Sequence, residues 1–363
     1  MSPVHEIIRN EIVNRGTISF ARFMELALYC PNYGFYEQEP DTIGRAGHYY
    51  TSVSTGSLFG ELLAMQFAEW LTELPAGSPV QLVEAGAHDG QLATDILNWV
   101  KTWQPVLFER IEYWLIEPSA RRRTWQRKKL ERFGDRVRWI DSLESSRGGF
   151  VGIIFSNEFL DSLPVHRFGW DAQNREWFEW GVTVNEDRFV WAKIRKPGCN
   201  PALLVGLPAE FLDALPDGYT IETCPAAGQW WTSAAKALAA GKLVAIDYGL
   251  PRYELLNPAR ITGTVRAYRR HQLVADVLAA PGEQDITAHV DFTALQIAGE
   301  AAGLTTDGLF TQGQFLTRIA ERALRARMAS SNWSEAQKRQ FKTLVHPEHF
   351  GGLFRVFIQS RRP

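Results

Sequence analysis

Apolar residues recur at helical spacing near the start of the chain and change to short continuous runs further along. "HEIIRNEIVNRG" and "FARFMELALY" set apolar side chains three and four positions apart, and "SLFGELLAMQFAEWLTEL" is a more thoroughly apolar helix that stops near Pro75. Between them, the aromatic and glycine-punctuated "NYGFYEQEPDTIGRAGHYYTS" reads as loop, so residues 1–75 predict a helical and loop-like cap without a sheet. From Val80 the pattern changes. Strands are predicted at "VQLVEA", "EYWLIEP", "RVRWID", "VGIIFS" and "LVAIDYG", with helices over 91–100, 119–133 and 230–240. Continuous apolar strands alternating with helices mark a parallel sheet covered on both faces, so the fold class is α/β with a Rossmann-like, mostly parallel sheet over 76–363. Roughly 85 residues separate the fourth and fifth strands, more than a plain crossover needs. "EWFEWGVTV" and "RFVWAKI" predict a β-rich insertion there, at about 165–235. In the tail, Asp291 is placed to cap a helix, and "LFRVFIQS" predicts a strand that enters the sheet antiparallel.

Composition removes several classes of function. With 363 residues, 45% of them hydrophobic, the chain can bury a large core. A net charge of −2, from 39 basic and 41 acidic residues, gives no global field toward nucleic acid or an anionic membrane. Cys30, Cys199 and Cys224 are scattered, which fits neither a disulfide framework nor a zinc site, and no metal is expected. No apolar run reaches the ~18 to 20 residues of a membrane span. The amphipathic start carries Glu6 and Glu11, unlike a secretory or transit peptide, and predicts a cytoplasmic location.

The candidate chemistry sits at the strand ends. In an open α/β sheet, ligands bind beyond the carboxyl ends of the strands, beside the first one. There "QLVEAGAHDGQL" offers Glu84, Gly86, His88 and Gly90. It lacks the second glycine of a dinucleotide turn and the Gly-Lys-Ser/Thr of a P-loop, which disfavours a phosphate-bearing ligand. An acid at the strand end suits a cationic, phosphate-free nucleoside, and S-adenosylmethionine is the common one. Glu117 ends the second strand, where a carboxylate can accept both ribose hydroxyls. Asp141 and Ser142 end the third and can meet the adenine amino group. The alternative is that these acids are helix caps and solvated loop carboxylates.

After the fourth strand, "SNEFLDSLPVH" presents Asn157, Glu158 and Asp161, at the loop that faces the methyl acceptor in class I methyltransferases. A carboxylate pair there can hold a cationic guanidinium or ammonium, aim its lone pair at the sulfonium methyl and take up a proton. Asp161 can equally well cap the turn before Pro164. His88 reads as a ligand contact or as a plain loop residue, and His48 faces the same choice. The basic run "RRRTWQRKKLERF" reads better as a solvated helix face than as a nucleic-acid helix, given the net charge. Among the 13 tryptophans, the pair Trp230–Trp231 opens a helix near the strand ends.

Seven blocks, in order along nearly the whole chain, resemble one family: "FARFMELALYCPNYGFYE", "IGRAGHYYTSVSTGSLFGELLA", "LVEAGAHDGQLATDIL", "SNEFLDSLPVHRF", "IETCPAAG", "LVAIDYG" and "APGEQDITAHVDFTAL". They are similar to the MidA family of S-adenosylmethionine-dependent methyltransferases, whose mitochondrial members are protein arginine methyltransferases acting in respiratory complex I assembly. The resemblance implies a class I methyltransferase core, an N-terminal element closing over the cofactor, and Gly47 to Thr51 lining the cleft together with Glu84, Gly86, Gly90, Glu117 and the 157–161 loop. Two blocks depart from the family pattern. Ala87, His88 and Asp89 replace Pro, Gly and Arg, and the family's Gly-Asp-Phe-x-Thr stands here as Gly47-His48-Tyr49-Tyr50-Thr51. The expected activity is methyl transfer to a nitrogen of a protein arginine, with a respiratory-complex subunit as a partner and a homodimer as a state. The alternatives are a small-molecule N- or O-methyltransferase and a weakly catalytic assembly factor that binds the cofactor.

Overall fold

The computed structural model describes residues 2–38, 51–75, 78–145, 149–195, 207–270 and 272–362. Along the chain the strands are β1 (Ile18–Ser19), β2 (Val80–Ala85), β3 (Ile111–Ile116), β4 (Val137–Ile140) and β5 (Phe150–Asn157). They continue as β6 (His166–Asp171), β7 (Glu176–Asn185), β8 (Arg188–Ile194), β9 (Thr220–Thr223), β10 (Leu238–Leu250) and β11 (Arg266–Arg269). The last are β12 (Gln272–Val274), β13 (Asp285–Thr287), β14 (Val290–Asp291), β15 (Thr305–Thr311) and β16 (Phe354–Arg361).

The main sheet runs β15-β16-β10-β5-β2-β3-β4, with β16 antiparallel to both neighbours and the central pairs parallel. The order reverses between β2 and β5, the switch point at which an open α/β sheet leaves a crevice at its carboxyl edge. Side chains alternate across the sheet, and both faces are covered. Leu82, Val244, Ile246 and Val356 pack on one side with the helices Leu58–Thr72, Gln91–Trp103 and Gln312–Arg325. Val83, Leu243, Ala245 and Phe357 pack on the other with Pro225–Ala237 and Phe292–Ala301. Local chemistry sets the helix starts: Ser19, Ser119 and Asp291 each accept a backbone N–H of the first turn.

Between β5 and β10 the chain builds a second, antiparallel sheet of β7, β6 and β9, with β8 beside β7, and β1 from the N-terminal segment joins it at β7. The sequence pattern shows β7 and β8; β1 is two residues long, too short to carry a period, so the expectation of a sheet-free N-terminus is corrected. A small sheet of β12-β11-β13 was not predicted either. The first 75 residues divide between two cores. Val4, Ile8, Phe20 and Phe23 pack with Val182, Phe189 and Val265, whereas the helix Leu58–Thr72 is buried on the main sheet. Among the described residues no helix is long and apolar enough to cross a membrane.

Candidate active site

The carboxyl ends of β2, β3, β4 and β5 open onto a cleft of about 1100 Å³. At its centre is the turn after β2. Gly86 has φ +76°, and a Cβ there would stand 2.8 Å from Cβ of Phe159, so only glycine fits. His88 adopts φ +44°, a left-handed conformation that costs a side-chain-bearing residue about 1 kcal/mol. The surrounding bonds hold it there. Its carbonyl accepts from Nε2 of Gln126 at 2.9 Å, and the Gly90 N–H donates to the Ala87 carbonyl at 2.7 Å. Asp89 accepts from the Gln91 N–H at 3.0 Å and pairs with Lys129. Burial opposes ionisation of Asp89, but hydrogen bonds from His88 and Lys129 overcome it and hold the carboxyl below its usual range. The loop thus keeps its shape without the family's second glycine, and His88 lines the cleft.

Glu84 is 2% exposed and accepts from the Tyr113 hydroxyl at 2.6 Å; burial pushes its pKa up to about 8. Glu117 is fully engaged. Its Oε1 accepts from the Ser119 N–H at 2.9 Å and from Arg122 Nη2 at 2.8 Å, and its Oε2 from Arg122 Nε at 2.9 Å and Gln126 Nε2 at 3.2 Å. A carboxylate has about four acceptor positions, so ribose hydroxyls must share or displace one of these donors. Arg122 also reaches Glu37 at 3.1 Å, which ties the N-terminal segment to the end of β3. The expected solvated face of the basic helix Ala120–Leu130 is therefore only part of its surface: the Arg122 side chain is 12% exposed. Asp141 and Ser142 line the cleft, with Asp141 largely exposed and paired to Arg123. Glu144, which sequence reasoning passed over, lies beside them; hydrogen bonds from its own backbone, Ser142 and Ser233 lower its pKa. These groups suit S-adenosylmethionine: a glycine turn with no room for a Cβ, buried carboxyl groups at the strand ends for its hydroxyls, and no lysine-bearing phosphate loop.

The loop after β5 forms the opposite wall. Glu158 has φ +51°, its N–H donates to the Ile246 carbonyl at 2.9 Å, and its Oε1 accepts from the Ser52 N–H at 3.3 Å and from Asn157 Nδ2 at 3.2 Å. Burial first, and then the charge of Asp247, push the Glu158 pKa up to about 8. Among the described residues Oδ1 of Asn157 is buried without a partner, an acceptor left for a ligand group. Asp161 does not line the cleft. It is 5% exposed and hydrogen-bonded to Asp247, and burial together with the charges of Asp247 and Asp285 raises its pKa well above the usual range. Asp247, toward the carboxyl end of β10, clamps the loop, accepting from the Phe159 N–H at 3.1 Å and the Leu160 N–H at 2.8 Å. Its signal was in the sequence, since "LVAIDYG" carries an acid near its end as "VQLVEA" does.

Thr51 is buried and lines the cleft in a turn with Ser54; Gly47 and His48 lie outside the described residues. Trp231 is core, its Nε1 donating to Gln359 at 2.8 Å, while Trp230 lines the cleft against Phe159.

The profile of a family of S-adenosyl-L-methionine-dependent methyltransferases matches residues 62–310. The mitochondrial protein arginine methyltransferase NDUFAF7 of Danio rerio is 29% identical over 377 residues, covering 96% of this chain and 85% of its own length. The Homo sapiens protein of that name is also 29% identical, over 98% of this chain and 83% of its own length. These mitochondrial relatives overturn the expectation of a cytoplasmic location, which rested on the acidic residues of the N-terminal helix. A crystal structure from Burkholderia thailandensis, bound to S-adenosyl-homocysteine, superposes with a TM-score of 0.86 at 31% identity, over 99% of this chain and 92% of that one. The cleft, the strand order and these matches agree: the chain belongs to the MidA-like family of S-adenosyl-L-methionine-dependent methyltransferases.

Proposed function

We propose that the protein methylates a nitrogen of an arginine side chain in a partner protein, and that Glu158 holds the guanidinium. The observation that carries this reading is the placement of Glu158. It sits in a left-handed conformation at the switch point, aimed by Ser52 and Asn157 and enclosed so that an incoming cation is its natural partner. The names of the NDUFAF7 relatives support the same acceptor.

S-adenosylmethionine supplies a methyl group on a sulfonium, and the protein's work is placement in a site closed to water. Gly86, His88 and Gly90 form the turn beneath it. Glu84, Glu117, Asp141 and Ser142 are the cleft residues that would hold its polar groups, and Asn157 would offer an acceptor from the facing wall. Asp161 acts from behind, keeping the loop shaped through Asp247. Described residues before Leu58, Thr51 among them, close over the cofactor site, with Ser52 on Glu158 and Glu37 on Arg122 as the points of closure. The family resemblance extends this reading to a respiratory-complex subunit as the partner.

Incubation with methyl-labelled cofactor and a lysate of the source cells tests the reading. Label in a protein band that yields methylarginine on hydrolysis supports it; label only in small metabolites refutes the protein acceptor. Calorimetry that finds no binding of S-adenosyl-homocysteine would leave an assembly role without catalysis.

A further inference from the structure

The cleft contains a histidine that neither the strand-end motifs nor the arginine reading uses. His166 opens β6 and lines the cleft beside Ser162 and Leu163. Its Nδ1 lies 2.6 Å from Oε1 of Glu179, whose side chain is 6% exposed. The pairing follows from strand register. Phe168 stands opposite Glu179, so His166, two residues earlier on the same face, is the diagonal neighbour within reach of a long side chain. An ionised carboxylate only accepts hydrogen bonds, so Glu179 holds the ring with its proton on Nδ1 and leaves Nε2 as the basic nitrogen. Nε2 has no partner among the described residues and is not sealed from solvent. Arg22, already paired with Glu11 and Glu25, Glu25 itself on the facing helix, and Glu158 on the loop before β6 line the same cleft, as do Glu84, Asp89, Glu117, Arg122, Asp141 and Glu144.

We propose that His166 is the proton acceptor of the transfer and that Glu179 is its positioning residue. The proposal rests on the guanidinium reading, because that acceptor requires a base. A guanidinium carries one positive charge and so does its N-methyl product. The new bond joins the acceptor nitrogen to the methyl carbon, the carbon–sulfur bond breaks, and the sulfide keeps its electron pair. One proton must therefore leave the nitrogen. Nε2 of His166 takes it, Glu179 stabilises the resulting imidazolium, and the ring returns the proton to solvent through its open edge. Glu158 remains the anion that holds the guanidinium.

Two measurements decide this. Nitrogen NMR of the imidazole in the full chain reads the tautomer without needing an acceptor: a proton on Nδ1 with Nε2 bare is expected, and a proton on Nε2 overturns the proposal. In the labelled-cofactor assay, His166→Ala is expected to lose about 100-fold or more of protein methylation. Its affinity for S-adenosyl-homocysteine should stay near that of the natural protein, and added imidazole should restore part of the rate. Full activity, or a loss that imidazole does not relieve, overturns it. If the unaltered protein labels only small molecules, the guanidinium reading and this proposal fall together. Protein label with an unimpaired His166→Ala removes this proposal alone.

Discussion

Glu158→Gln is the sharpest perturbation of the site. The amide keeps the size of the side chain and can still accept from the Ser52 N–H, but it cannot become an anion. In the free protein, burial and then Asp247 push the Glu158 pKa up to about 8. If the guanidinium is held by the ionised form, about one molecule in ten is competent at pH 7 and about nine in ten at pH 9. The kcat/KM for the acceptor should therefore rise about tenfold between those values, since that ratio reports the free enzyme's groups. Glu158→Gln should lower kcat/KM by roughly 100-fold or more and abolish the limb centred near pH 8. Binding of S-adenosyl-homocysteine, measured by calorimetry, should change little because Glu158 faces the acceptor. A variant with unaltered kcat/KM, or one that keeps the limb near pH 8, would refute the role.

Asp247→Asn removes a neighbouring negative charge while its amide oxygen can still accept from the Phe159 and Leu160 N–H groups, so the same limb should move to lower pH; an unmoved limb would leave burial as the whole cause. Glu84 has a folded pKa of about 8 against an ordinary value of 4.5, so the stability its burial permits is complete below pH 4.5 and is lost as pH rises through 8. At 1.36 kcal/mol per unit the loss totals about 5 kcal/mol, and Glu84→Gln should narrow the gap between denaturant melts at pH 6 and pH 9. Arg122→Leu strands the buried Glu117 and Glu37 carboxylates without their shared cation, and should destabilise the fold by about 3 kcal/mol or more in the same melts. An unchanged midpoint would mean that Ser119 and Gln126 suffice.

Much of the architecture was legible along the chain because it rests on short-range regularities. Apolar runs such as "VGIIFS" and "LVAIDYG" are buried on both faces and form central strands, and the polar groups toward their ends, Asn157 and Asp247, are brought to the carboxyl edge. The order of the family blocks carried the cofactor class. β1 and the β12-β11-β13 sheet escaped notice because strands of two to four residues repeat no pattern. The roles of individual side chains escaped for a different reason: they depend on partners far away in sequence. Glu117 looked like a free acceptor for ribose and is instead filled by Arg122, Ser119 and Gln126. Asp161 and Glu158 are three residues apart in one motif, yet Asp161 turns inward to Asp247 and Glu158 faces the cleft.

Sequence alone thus determined the class of sheet and the edge at which chemistry occurs, since local periodicity and strand-end polarity need no knowledge of distant contacts, and its family blocks carried the nucleoside sulfonium that the edge suits. Tertiary structure decided which carboxylates are open, which are paired, and that His88 can stand where a glycine was expected. Those outcomes follow from burial and from bonds across long sequence gaps, such as Gln126 to His88 and Ser52 to Glu158, and such bonds exist only once the chain has folded.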